Sequence, residues 1–434
     1  MYKHFRNLIF TILLLLIVVG ISFASSPPSN DNRMTPEHMQ ADLEQLKMSF
    51  IDRHPLIVTR FPKEYEDLFN QAQAQLTKPL TLPAFSVILS KTLAQIGDDH
   101  TQVEFLLEGP VLPFVLKVID DQFYVLDGGS CIPEGSQILT IGDIPIQDIY
   151  TSYCELYSAE NDYWRQVQFE QRYIEIGKIK ELGGHFDLWG GLSVTYLPPV
   201  SSKTSKAQSL KIGKKSYIHK QYDCYNPLYS LYNDKYDGQC DENVYKYFVH
   251  EDKDYLYLVA DWCYFYDGYE AILTEVFTIL DEKSIRNIVI DLRGNPGGSS
   301  EIIDPFFEKV KRHNFHANND SNPLTNDLQI FGLIDKRTFS SAVQFATEIY
   351  HDKHGTLVGQ PTGGKLPSFG NIAEFELKYS GLRFSISDKF ITYKGIITSE
   401  SDTLMPDFQT VYTIDDYLNG IDKDLEAIES MIAS

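Results

Sequence analysis

Apolar positions fall at helical spacing twice in the first hundred residues. Thr35-Pro36 reads as an N-cap followed by the first helical position, and Met39, Leu43, Leu46 and Phe50 then line one face, which predicts an amphipathic helix over 36–52. A second helix starts near Pro83, carries Phe85, Leu89, Leu93 and Ile96 on one side, and stops at Gly97. Asp98, Asp99, His100 and Thr101 follow, leading into a strand-like stretch to residue 107. Residues 110–150 read as short strands and turns. The pattern is irregular from 155 to 253, with a lysine/serine run over 201–215 and a stretch rich in tyrosine and aspartate. Beyond 254 strand and helix alternate: strand 254–260, helix 269–282, buried strand 285–292, a helix starting at Asp304-Pro305, buried strand 328–334, helix 339–352 and strand 355–359. Such alternation argues a parallel sheet with crossover helices. After 370 the period changes to two, with Ala373, Phe375 and Leu377, a Ser380-Gly381 turn, then Leu382, Phe384 and Ile386, as in an antiparallel hairpin. The expected fold class is therefore α/β with a mixed-sheet core and a helical N-terminal domain.

The first residues change the picture of where the chain works. Lys3 and Arg6 precede an apolar run from Leu8 to Val19, and small residues follow at Ser22, Ala24 and Ser25, which is the pattern of a secretory signal peptide. The run is short of the ~20 residues that span a bilayer, so cleavage is the expectation and an uncleaved signal anchor the alternative. Sixty acidic against thirty-eight basic residues give a net charge of −22, which repels phosphate backbones and anionic headgroups. Nucleic-acid binding and peripheral membrane binding are thus not expected, and after signal removal no stable membrane insertion is expected. Export places the five cysteines, Cys131, Cys154, Cys224, Cys240 and Cys263, in an oxidising compartment. No zinc-like spacing occurs among them, and the odd count leaves at least one unpaired or intermolecular. Cys224 with Cys240 is the expected pair, Cys131 with Cys154 its competitor. Asn233–Glu242 resembles a calcium loop but has Val244 where the twelfth-position glutamate should stand, so no metal site is expected.

Three turns carry the candidate chemistry. Asp291-Leu292-Arg293-Gly294-Asn295-Pro296-Gly297-Gly298 follows a buried strand, and its glycines permit positive φ with amides turned into one space, where an oxyanion could sit. A plain tight turn would use the same residues. Ser340 and Ser341 lie on a strand-to-helix turn, where a serine is either an exposed nucleophile or simply a helix cap. Gly359-Gln360-Pro361-Thr362-Gly363-Gly364-Lys365, after the last parallel strand, reads alone as a glycine-rich turn with a solvated lysine.

In order and spacing these three segments together resemble the carboxyl-terminal processing (tail-specific) and tricorn-core serine peptidases. That resemblance implies Ser340 as nucleophile, 25 residues before Lys365. The family's histidine segment is similar to Gly97-Asp98-Asp99-His100-Thr101, which implies His100 as general base, with Lys365 as the rival base of the lysine-dyad members. The departures weaken the lysine: Val343 and Gln360 replace glutamates, and Phe369 stands where dyad members carry a glutamine. Glu400 lies near the place of the acid that orients the histidine, with Asp402 as its competitor, and Pro406-Asp407 matches a family dipeptide. Oxyanion donors would be the N–H groups of Gly297 or Gly298 and of Ser341. Residues 135–142 also resemble a segment of PDZ domains.

The expected layout is a signal peptide at 1–24, a leader at 25–33, a helical domain at 34–108, a partial PDZ-like region at 109–154, an insertion at 155–253 and a catalytic core at 254–434. The resemblance implies peptide hydrolysis through an acyl-enzyme, a protein or peptide substrate, and no metal or organic cofactor. A histidine base would make activity rise through about pH 6 to 7. The competing class is a non-catalytic protein of the same fold that binds peptides or hydrophobic ligands. N-terminal sequencing of exported material should find a chain beginning near Ser25; a start at Met1 rejects cleavage.

Overall fold

The computed structural model describes residues 33–57, 63–104, 106, 109–129, 131–172, 174–200, 206–219, 245–319, 328–351, 355–392 and 403–434. Cys224, Cys240, the calcium-like stretch, Glu400, Asp402 and the apolar run at 8–19 lie outside these. No described helix is long and apolar enough to cross a membrane. Cys131, Cys154 and Cys263 are free thiols.

The alternating segment builds a six-stranded sheet in the order Tyr245–His250, Tyr255–Ala260, Asn287–Asp291, Gln329–Ile334, Gly355–Gly359, Phe408–Gln409. The first pair is antiparallel and the remaining four are parallel. Side-chain period two sorts the strands into two faces. Leu256, Leu258, Ile288 and Ile290 meet the helices Tyr269–Lys283, Ile303–Asn319 and Ser341–His351. Tyr255, Tyr257, Val259 and Val289 point the other way, onto Ile428 of the C-terminal helix Lys423–Ile432. Both faces are covered, which is why these strands read as near-continuous apolar runs.

The hairpin of Ser368–Glu376 and Arg383–Ile391 leaves the core and docks on the N-terminal helices. Its Leu377, Leu382, Phe384 and Ile386 share one core with Met39, Leu46, Phe50, Phe85 and Leu89. Those helices are Pro36–Arg53, Lys63–Gln75 and Leu82–Ala94, with Thr35 accepting from His38 N–H as the N-cap. The strand-like stretch after His100 is short: Gln102 and Val103 pair with Ser385 and Phe384 of the hairpin.

A third unit is built around a second sheet in which strands Val115–Ile119, Gln122–Asp127, Gln137–Ile141, Leu192–Leu197 and Gln208–Ile212 follow one another. Ile138, Ile141, Leu192, Val194 and Ile212 belong to a single core with residues of the helices Ile146–Cys154, Asp162–Glu170 and Ile176–Glu181. The expected boundary at residue 154 therefore cuts through one packed body, because the strand at 192–197 pairs with that at 137–141.

A buried ion network fastens the C-terminal helix to the sheet. The Arg293 guanidinium, with no exposed surface, reaches Asp291, Asp422 and Asp424 at 2.7 to 2.9 Å. Its removal would leave three carboxylates in low dielectric with their cation gone. Arg293→Met should cost about 3–5 kcal/mol, the range for breaking a buried pair from one side, read as a clear fall in the thermal unfolding temperature.

Candidate active site

Three loops converge at the carboxyl ends of the parallel strands, and several residues of the first have distinct tasks. Asp291 and Arg293 turn inward to the ion network, so that part of the turn is structural. Asn295 donates from Nδ2 to Ala260 O at 2.8 Å and accepts at Oδ1 from Gly297 N–H at 2.8 Å. Its carbonyl accepts from Phe339 N–H at 3.0 Å. One asparagine thus binds the end of a strand, the glycine turn and the serine turn.

Gly297 and Gly298 have φ of +102° and +129°. A Cβ on Gly297 would lie 2.6 Å from Ser340 Cβ, so glycine is required for the two turns to touch. Gly297 O accepts from Cys263 N–H at 2.9 Å, and Cys263 O accepts from Ser299 N–H at 2.6 Å. Gly298 N–H takes part in neither bond. A Cβ on Gly298 would fall 2.6 Å from Trp262 Nε1, so the indole packs against this turn. Trp262 and the nearby Phe265 are each 40% exposed.

Ser340 sits just before the helix Ser341–His351 with φ of +52°, an uncommon and strained conformation for a side chain of any size. Ser341 Oγ donates to Gly298 O at 2.7 Å, which ties the start of the helix to the glycine turn. As the first helical residue, Ser341 has no intrahelical acceptor for its own N–H. The third loop closes over this: Gly364 N–H donates to Thr338 O at 3.2 Å, and Thr362 Oγ1 to Gly364 O at 2.7 Å.

His100 arrives from the N-terminal part of the chain, held by Ser385 Oγ, which donates to its carbonyl at 2.9 Å. Its Nε2 lies 3.2 Å from Ser340 Oγ across 240 residues of sequence. The ring stacks on Phe339 at 5.2 Å, and Phe339 in turn stacks on Trp164 at 4.2 Å. Asp98 is a structural anchor for this segment. One of its oxygens accepts from Thr101 Oγ1 at 2.6 Å and lies 3.1 Å from His54 Nε2; the other accepts from His100 N–H at 3.0 Å. Burial opposes ionisation of Asp98, but hydrogen bonds from His100, His54 and Thr101 outweigh it and hold the carboxyl well below the usual range. Phe369 packs against His54 at 4.7 Å, which gives the aromatic residue its place there.

The residue without any sequence signal is Glu160. Its Oε1 lies 3.7 Å from His100 Nδ1, while its Oε2 accepts from Lys365 N–H at 3.1 Å. Burial pushes Glu160 up to about 8. Burial also disfavours charge on His100, but Asp98 and Glu160 outweigh it and raise the imidazole above its usual 6.5. The imidazole and carboxyl together thus take up a proton at higher pH than a free histidine does. Asp98, His100 and Glu160 bring metal-ligating types within 4.8 Å. His100 Nε2 already faces Ser340 and Glu160 Oε2 accepts from Lys365 N–H, so two of these side chains are committed to other contacts.

Of the expected site residues, the structure brings together Ser340, His100, Gly297, Gly298 and Ser341. Lys365 joins them through its backbone, and Glu400 lies outside the described residues. Asp407 is placed away from this chemistry, its Oδ2 accepting from Leu357 N–H at 2.8 Å.

Residues 265–407 match the family model described as peptidase family S41. No curated protein sequence matches the chain. Among solved structures, mature CPAF is similar with a TM-score of 0.58 at 13% identity, covering 92% of this chain and 98% of that one. Mature CPAF complexed with lactacystin gives 0.59 at 13%, covering 92% and 99%. At that identity the likeness shows a shared fold. The chain is a serine-type peptidase. Over residues 265–407 it carries the domain of peptidase family S41.

With Ser340 as the attacking group, Gly297→Ala should lower kcat by about 10²-fold or more, since a displacement of ~1 Å at a reacting atom has that effect. Turnover near that of the unaltered enzyme would show that the two turns need not touch.

Proposed function

We propose that this chain is an endopeptidase that cleaves exported proteins or peptides through an acyl-enzyme on Ser340, with His100 as base. The observation that carries the reading is the 3.2 Å contact between His100 Nε2 and Ser340 Oγ. His100 takes the proton as Oγ attacks the scissile carbonyl, and returns it to the leaving amine. Gly297 N–H is already bonded to Asn295, so the oxyanion falls to Gly298 N–H and Ser341 N–H. Water then enters with the same imidazole as base and releases the acyl group. The strained φ at Ser340 supports this, because it keeps Oγ turned toward His100 rather than capping the helix below it. Lys365 contributes its backbone N–H to the carboxyl beside His100 and is proposed to position substrate. The N-terminal signal pattern supports an exported, secreted or periplasmic enzyme.

The pH dependence follows in sign. The base must be neutral at Nε2, so kcat/KM rises as the His100–Glu160 pair loses its proton. Both groups are raised, so the rising limb should lie above 6.5 and toward 8. A limb in that range therefore does not by itself indicate a lysine base, and substitutions decide. Ser340→Ala should lower turnover by ~10⁴ to 10⁶, and His100→Ala should approach that loss. Lys365→Ala should retain measurable turnover. Ser341→Ala should cost far less, about one hydrogen bond to the glycine turn. An active Ser340→Ala enzyme, or a fully active His100→Ala beside a dead Lys365→Ala, rejects the assignment.

A further inference from the structure

His100 Nδ1 and Glu160 Oε1 are both buried and, among the described residues, both without a hydrogen-bond partner, and they face each other at 3.7 Å. Two orphaned polar atoms in one closed space are costly unless they are meant to meet. Among the described residues, the other carboxylates near the ring each already accept at least one hydrogen bond. Asp98 Oδ1 is 3.6 Å from Nδ1 but accepts from His100 N–H, and Asp98 Oδ2 serves His54 and Thr101. Asp99 accepts from Gln168 Nε2 at 2.8 Å. Lys365 enters through its backbone N–H, and Arg172 acts on Asp99 only at a distance.

The backbone around Glu160 is held as a positioned element would be. Ser158 Oγ donates to Leu93 O at 3.0 Å, within the helix that precedes the histidine segment. Asn161 Nδ2 donates to Thr362 O at 3.1 Å, in the third loop, and Asn161 Oδ1 caps the next helix by accepting from Trp164 N–H at 2.8 Å. Glu160 is thus fixed to the segments on both sides of the imidazole.

We infer that Glu160 is the positioning carboxylate of the site, accepting from His100 Nδ1–H when substrate closes the remaining gap. This rests on the reading of Ser340 and His100 given above. The bond selects the tautomer that leaves Nε2 free to accept from Ser340, and the carboxylate stabilises the imidazolium that forms once the proton has moved.

The test compares full-length unaltered enzyme with Glu160→Gln and Glu160→Asp, reading kcat and KM across pH and the rate of labelling by an active-site phosphonate. Glu160→Gln should lower kcat by ~10² to 10⁴ with KM little changed, the scale of losing a histidine-orienting carboxylate. Its rising limb should also move to lower pH, because the neutral amide no longer raises the imidazole. Glu160→Asp should fall between the two in both respects. If Glu160→Gln fails to fold, Glu160→Asp decides by the same pair of readouts. A lowered kcat with an unmoved limb marks a merely structural residue and overturns the inference, as does an unchanged kcat. Failure of the unaltered enzyme to be labelled at Ser340 rejects the parent reading instead.

Discussion

A hydrogen bond of 3.2 Å between residues 240 apart sets a tolerance that the whole molecule has to meet. Imidazole and hydroxyl come from separate bodies, so their distance is only as stable as the joint between those bodies. That joint is the hairpin Ser368–Glu376 and Arg383–Ile391, whose apolar face completes the N-terminal helical core while its strand pairs with Gln102 and Val103. Burial of Leu377, Leu382, Phe384 and Ile386 supplies the adhesion, on the order of 1.5–3 kcal/mol for each fully buried side chain. The bond from Ser385 Oγ to His100 O supplies the register. A slip of one residue in that pairing would turn these side chains to the wrong face.

On the other side the tolerance is met by small residues and strain. Gly297 exists so that two turns can touch, Asn295 binds three segments at once, and Ser340 is held at positive φ by bonds to its neighbours. The unfavourable backbone is carried by a sheet buried on both faces and anchored from behind by the Arg293 network.

Much of the core was legible because its strands are short apolar runs separated by helices with one apolar face, and that pattern survives any detail of packing. The three turns were legible because glycine, proline and serine there are required by local geometry. The helix Lys63–Gln75 gave little signal, since only Phe69 and Ala72 of it are buried. The strand Leu192–Leu197 alternates clearly, yet its partner lies some fifty residues back, so local pattern could not show that it completes a sheet begun before 154. Glu160 was invisible for a stronger reason. It lies in Ser158-Ala159-Glu160-Asn161, which has no periodicity, and its character comes wholly from burial beside His100.

The family-matching window, residues 265–407, contains Ser340 and the glycine turn but neither the imidazole that faces Ser340 nor the buried carboxyl beside it. Those two enter from the N-terminal helical body and from the second sheet. The part of the chain that announces kinship therefore lacks two of the groups that converge on Ser340. A descendant could keep every residue of the window, remain recognisable, and lose the contact to Ser340 through one change at position 100 in another body. Reading such a chain for activity means inspecting the two bodies that the window leaves out.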